Sequence, residues 1–173
     1  MTRRTVTTML AFAAAFAASL MLAPRVRVQA ARVNHKSLAI IVNRSNPVDN
    51  LSTTELRAIF LGQRSHWANG RRITLVMMEP GQPEREAVLN QICRLSEAEF
   101  RRRFLQGLLT GEVLVSPKTL ATPIGVRKFV FNVPGAIGYL KPEDVDNSVK
   151  VIAIDGHIPE DAEYELRLPA EIR

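Results

Sequence analysis

Chemistry in this chain is best sought at Gly81-Gln82-Pro83-Glu84-Arg85, where an apolar run, Ile73–Met77, gives way to a helix that opens with proline. The first turn of a helix presents unpaired amide groups and the positive end of the dipole, so it attracts anions. Gly81, Gln82 and Arg85 are the residues there that could hold one. Pro83 removes an amide donor, and Glu84 sets a carboxylate in the same turn, where it can satisfy the helix end without a ligand. A second polar segment, Asn43 to Asn46, follows a buried-strand pattern, and loops in that position line ligand crevices in open α/β sheets.

Other chemistries have weaker support. His35, His66 and His157 are far apart and have no ligand-spaced partners, so no metal site and no cofactor are expected. No Gly-x-Ser-x-Gly elbow organises the serines, and Glu79 with Glu84 reads as turn solvation plus helix capping, so an enzyme is not expected. Arg101–Arg103 spread around a helix and read as a solvated face. Cys93, the single cysteine, sits beside Leu89 and Ile92 and reads as a small core residue.

Arg3 and Arg4 precede an apolar run from Met9 to Leu22, and small residues lead to Ala30, which predicts a cleaved secretory leader over residues 1–30 and a periplasmic domain over 31–173. The run is too short for a membrane span. The leader carries four of the 23 basic residues and none of the 17 acidic ones, so the net charge falls from +6 to +2 on cleavage. A nucleic-acid partner is therefore not expected. Removing 30 of 173 residues leaves 143, a single-domain length that buries a core without disulfides.

The elements that must position the candidate site alternate. Leu38–Val42 is a continuous branched run, a strand buried on both faces. Ser52 with Glu55 forms a capping box, and Gly62 closes the helix carrying Leu56, Ile59 and Phe60. Asn69-Gly70 turns the chain into the strand Ile73–Met77. Pro83 to Arg94 reads as a helix, and Ser96 with Glu99 opens another through Leu109 with Phe100, Phe104, Leu105 and Leu108 at helical spacing. Val113–Leu120 reads as a loop or short helix. Thr122-Pro123 begins a helix to Phe131, followed by strands at Ala136–Leu140 and Val149–Ile154 and an edge strand at Tyr164–Leu168. The class is α/β, a single layered domain.

Val42-Asn43, Ser45-Asn46-Pro47, Leu51, Glu55-Leu56, Ile59-Phe60, Gly62, Trp67, Gly70, Thr110-Gly111 and Pro134–Tyr139 occur together in order. With these residues, positions 38–155 resemble one lobe of the phosphate-type periplasmic solute-binding proteins, the type II binding-protein fold of phosphate ABC transporters. The resemblance implies a noncatalytic protein binding a small oxyanion such as phosphate, with Asn43, Ser45 and Thr110 assisting Gly81, Gln82 and Arg85. Two departures qualify it. The length supplies about one lobe, so a second lobe from another chain would have to complete an interlobe site. Met78, Gln82, Pro83 and Glu84 also stand where the family presents an arginine and a serine-glycine-threonine run. The alternative is an envelope protein-interaction or assembly module that has lost ligand capture.

Overall fold

The computed structural model describes residues 37–113 and 115–168; the expected leader and the start of the expected mature domain lie outside them. Ala39–Asn43 forms β1, whose five residues are all buried, as an uninterrupted branched run requires when both faces are covered. Asn50–Leu51 forms the short β2, and Thr53–Phe60 forms α1. The capping box is made: Ser52 N–H donates to Glu55 Oε2 at 3.0 Å and Glu55 N–H to Ser52 Oγ at 3.2 Å. Leu56, Ile59 and Phe60 are the buried stripe of α1.

β3, Thr74–Met78, leads into α2, Pro83–Val88, which continues as a π-helical turn over Leu89–Cys93. α3 spans Glu97–Thr110, again behind a complete capping box, Ser96 with Glu99. β4 is Lys118–Leu120, α4 is Pro123–Asn132, β5 is Ala136–Leu140, and a 3-10 turn covers Pro142–Asp144. β6, Val149–Val151, and β7, Ala153–Ile154, complete the described elements.

Among the described residues, the main sheet runs β4-β3-β5-β1-β6, and β2 with β7 forms a separate parallel pair. β3 is parallel to β4 and β5, whereas β1 runs antiparallel to β5 and β6. This is a layered α/β domain with a mixed sheet. Gly135 brings α4 back to β5 so closely that a Cβ there would lie far inside contact distance of the Arg72 carbonyl oxygen. The same glycine's carbonyl accepts the indole N–H of buried Trp67 at 3.0 Å, so Trp67 fills the corner beside α1 as a core residue.

Four expectations need correction. Val113–Leu120 is not loop or helix throughout: Lys118–Leu120 pairs with Val76–Met78. The ladder to β3 makes this edge segment a strand, and its exposed side chains carry no apolar pattern. Val149–Ile154 is two strands, because Ile152 donates to Ile40 O at 3.1 Å and the chain then leaves the main sheet for β2. Tyr164–Leu168 is no strand; one antiparallel bridge joins Ser37 to Arg167, while Tyr164, Leu166 and Leu168 are buried on the core. On α3, Phe100 and Phe104 are buried as expected, but Leu105 and Leu108 are 58% and 40% exposed. No described element covers that face.

Candidate functional site

Strand register decides where the candidate residues can meet. Ala39 lies opposite Leu140 and Val42 opposite Ile137, while Thr74 lies opposite Ala136. The carboxyl ends of β3, β4 and β5 therefore share one end of the sheet, and the carboxyl end of β1 lies at the other. A five-residue strand separates these ends by roughly 13 Å. Gly81, Gln82 and Arg85 follow β3 at the first end, where ligands of open α/β sheets bind. Asn43 ends β1 and Ser45 follows it at the second.

The first end is built on Met78. Its N–H donates to the buried Tyr139 hydroxyl at 2.9 Å, and its carbonyl accepts from Arg85 Nη1 at 2.8 Å. Glu79 N–H then donates to Leu120 O at 3.1 Å, which ties the loop to β4. Gly81 has φ +87° and is exposed, a left-handed turn in which glycine is relaxed. Gln82 occupies the N-cap of α2 but makes no side-chain capping bond.

The charges at this helix start face inward. Arg85 is 6% exposed and donates from Nε and Nη2 to both carboxylate oxygens of Glu97 at 2.7 and 2.9 Å. Its guanidinium also lies 5.5 Å from the Phe100 ring centroid. Glu84 is 4% exposed and pairs with Lys141 Nζ at 2.9 Å. The hydrogen bond that Lys141 donates to Glu84, reinforced by the carboxylate's charge, raises the Lys141 pKa above the ordinary lysine value. Burial raises the Tyr139 pKa despite the bond from Met78.

At the opposite end, Asn43 Nδ2 donates to the carbonyls of Val130 and Phe131 at 2.9 and 2.6 Å, closing the end of α4. Its Oδ1 accepts Ser45 N–H at 2.9 Å and the Ser45 hydroxyl at 2.8 Å. Thr110 hydrogen-bonds Gln106 O at 3.1 Å in the last turn of α3. The structure thus brings Gly81, Gln82 and Arg85 together and Asn43 with Ser45, but not the six into one pocket. Lys141 was missed by sequence reasoning. Its signal is positional, since it directly follows β5 and β5 is parallel to β3. Among the described residues, no cluster of three or more His, Cys, Asp or Glu could hold a metal.

No family model matches the sequence. Solved structures do match. An ABC-type phosphate transport receptor from Vibrio cholerae superposes with TM-score 0.58 at 24% identity, covering 71% of this chain and 48% of that one. A Clostridium perfringens substrate-binding protein of phosphate ABC-transporter type, solved with bound phosphate, gives 0.59 at 22%, covering 71% and 46%. PstS from Borrelia burgdorferi gives 0.61 at 12%, covering 76% and 54%. The chain has the periplasmic-binding-protein fold of these structures over the part that it matches. It spans about half the length of these proteins, in keeping with a single lobe.

Proposed function

We propose that this chain is a noncatalytic, periplasmic solute-binding-type lobe that contacts a small oxyanion such as phosphate at the carboxyl end of β3. The observation that carries the reading is the turn at exposed Gly81 and half-buried Gln82 at that end of the sheet, with an uncommitted capping side chain at the start of α2. Gly81 and Gln82 touch the anion. Arg85 acts from beneath by fixing the Met78 carbonyl, and Asn43, Ser45 and Thr110 brace helix ends farther away. A second lobe from another chain closes the crevice. Calorimetric titration of the secreted protein with phosphate and sulfate tests this, with Gln82→Ala as the control. Weak heat reduced by that substitution supports the reading, and no heat or thermal stabilisation at millimolar anion rejects it.

A second reading is an envelope protein-interaction module without ligand capture. It is favoured by the internal pairing of Arg85 with Glu97 and of Glu84 with Lys141, and by the uncovered Leu105, Leu108 and Leu109 on α3. A stoichiometric partner recovered from envelope extracts, lost on Leu109→Lys and indifferent to phosphate, would select this reading.

A further inference from the structure

A cavity of about 200 Å³ lies beside the amino end of β3, at the end of the sheet away from Gly81. Arg64, Ser65, Arg72, Thr74 and Ser116 are among its lining residues, two arginines and three hydroxyl-bearing residues. Ile59, Leu75, Phe104 and Val113 line it with apolar surface. We infer that this cavity is a second binding site, for a small oxyanion that carries a short apolar group, such as a phosphomonoester.

Local structure places the polar groups deliberately. His66 and Arg72 form an antiparallel bridge, and Ile73 N–H donates to Ser65 O at 2.8 Å, which pins the two polar segments side by side. Arg72 is exposed, and among the described residues its side chain makes no hydrogen bond or ion pair. The hydroxyls of Thr74 and Ser116 likewise make none among the described residues. Arg64 is partly committed: Nη1 pairs with Glu55 at 3.0 Å and Nε donates to His66 O at 3.3 Å. The Ser65 hydroxyl lies 2.9 Å from His66 Nδ1. An arginine and hydroxyl-bearing residues lining one cavity suit a tetrahedral oxyanion, whose several oxygens can accept from more than one donor. The volume is below the ~300–1,000 Å³ of drug-sized pockets, which limits the ligand to a small one. The apolar wall favours an ester over the free ion, since it removes a short hydrocarbon group from water.

Titrating the protein with inorganic phosphate, phenyl phosphate and benzyl alcohol separates the sources of affinity. Phenyl phosphate should bind about tenfold more tightly than phosphate, a difference of about 1.4 kcal/mol, and benzyl alcohol should not bind measurably. Arg72→Gln should weaken phenyl phosphate about tenfold or more, while Gln82→Ala leaves it unchanged. Because Arg72 is exposed, the variant should melt with the wild type; if it does not, Ser116→Ala at an exposed hydroxyl takes its place. Equal affinity in wild type and variant, equal binding of benzyl alcohol, or no saturation by millimolar phenyl phosphate would overturn the inference. Sensitivity to Gln82→Ala instead would move the binding to the crevice and leave only the first proposal standing.

Discussion

Arg85 and Glu97 form a two-point ion pair across twelve residues of sequence, with donor–acceptor distances of 2.7 and 2.9 Å. The pair staples the start of α2 to the first turn of α3. The arginine is almost wholly buried, while about a third of the glutamate side chain remains exposed. Removing the acid strands a buried guanidinium that still holds Met78 O. Glu97→Ala should therefore cost about 2–3 kcal/mol, less than the ~3–5 kcal/mol of a fully buried pair. Replacing both partners, as in Arg85→Met with Glu97→Leu, should restore much of that loss. Urea unfolding of the two single variants and the double variant measures the coupling.

Gly135 and Gly81 should respond differently to the same change. A methyl group at Gly135 collides with backbone, the Arg72 carbonyl, which cannot swing away as a side chain can. The shift would also disturb the Trp67 indole bond. Gly135→Ala should lose about 3 kcal/mol or more. At Gly81 a Cβ meets nothing within 4 Å, so Gly81→Ala bears only the left-handed backbone strain, about 1 kcal/mol. Thermal melts of the two variants compare them directly.

What could be read from the residues was what local physics decides. Ser52 with Glu55 and Ser96 with Glu99 declare helix starts because each box closes within four residues, and both are made. β1 was legible because an unbroken branched run has few other uses. Lys118–Leu120 was not legible, since its strand identity comes from pairing with β3 rather than from its own side chains. The uncovered face of α3 follows the same logic: Leu105 and Leu108 have helical spacing, but spacing does not supply a neighbouring layer. At the candidate site, the proline-led helix start behind Gly81 was visible in sequence, whereas the partners of Glu84 and Arg85 come from the residue after β5 and from α3. Whether a charge is offered to a ligand or spent internally is a tertiary question.

Cys93 should be inert in the folded protein. It is fully buried, and burial pushes its thiol pKa up to about 12, so little thiolate exists at neutral pH. An aromatic disulfide reagent should label it only as the protein unfolds, and the labelling rate should rise with urea in parallel with the loss of structure. Rapid stoichiometric labelling in native buffer would contradict this burial.

The Glu84–Lys141 pair should leave a mark on alkaline stability. Lys141 has a folded-state pKa raised above the ordinary 10.5, chiefly by its hydrogen bond from Nζ to Glu84. A raised lysine pKa stabilises the fold fully below the unfolded-state value and ceases to do so as pH climbs through the folded-state value. Wild-type stability should therefore decline above about pH 10.5. Buried Tyr139 and Tyr164, whose pKa values are also raised, contribute a decline of the same sign. Comparison with Lys141→Met separates the contributions, because both proteins retain the tyrosines. The variant should be less stable than wild type at neutral pH, and the gap should narrow as pH rises past the lysine range. Urea denaturation midpoints across that range provide the check; a gap that stays constant with pH would show that Lys141 acts through packing of its stem rather than through its charge.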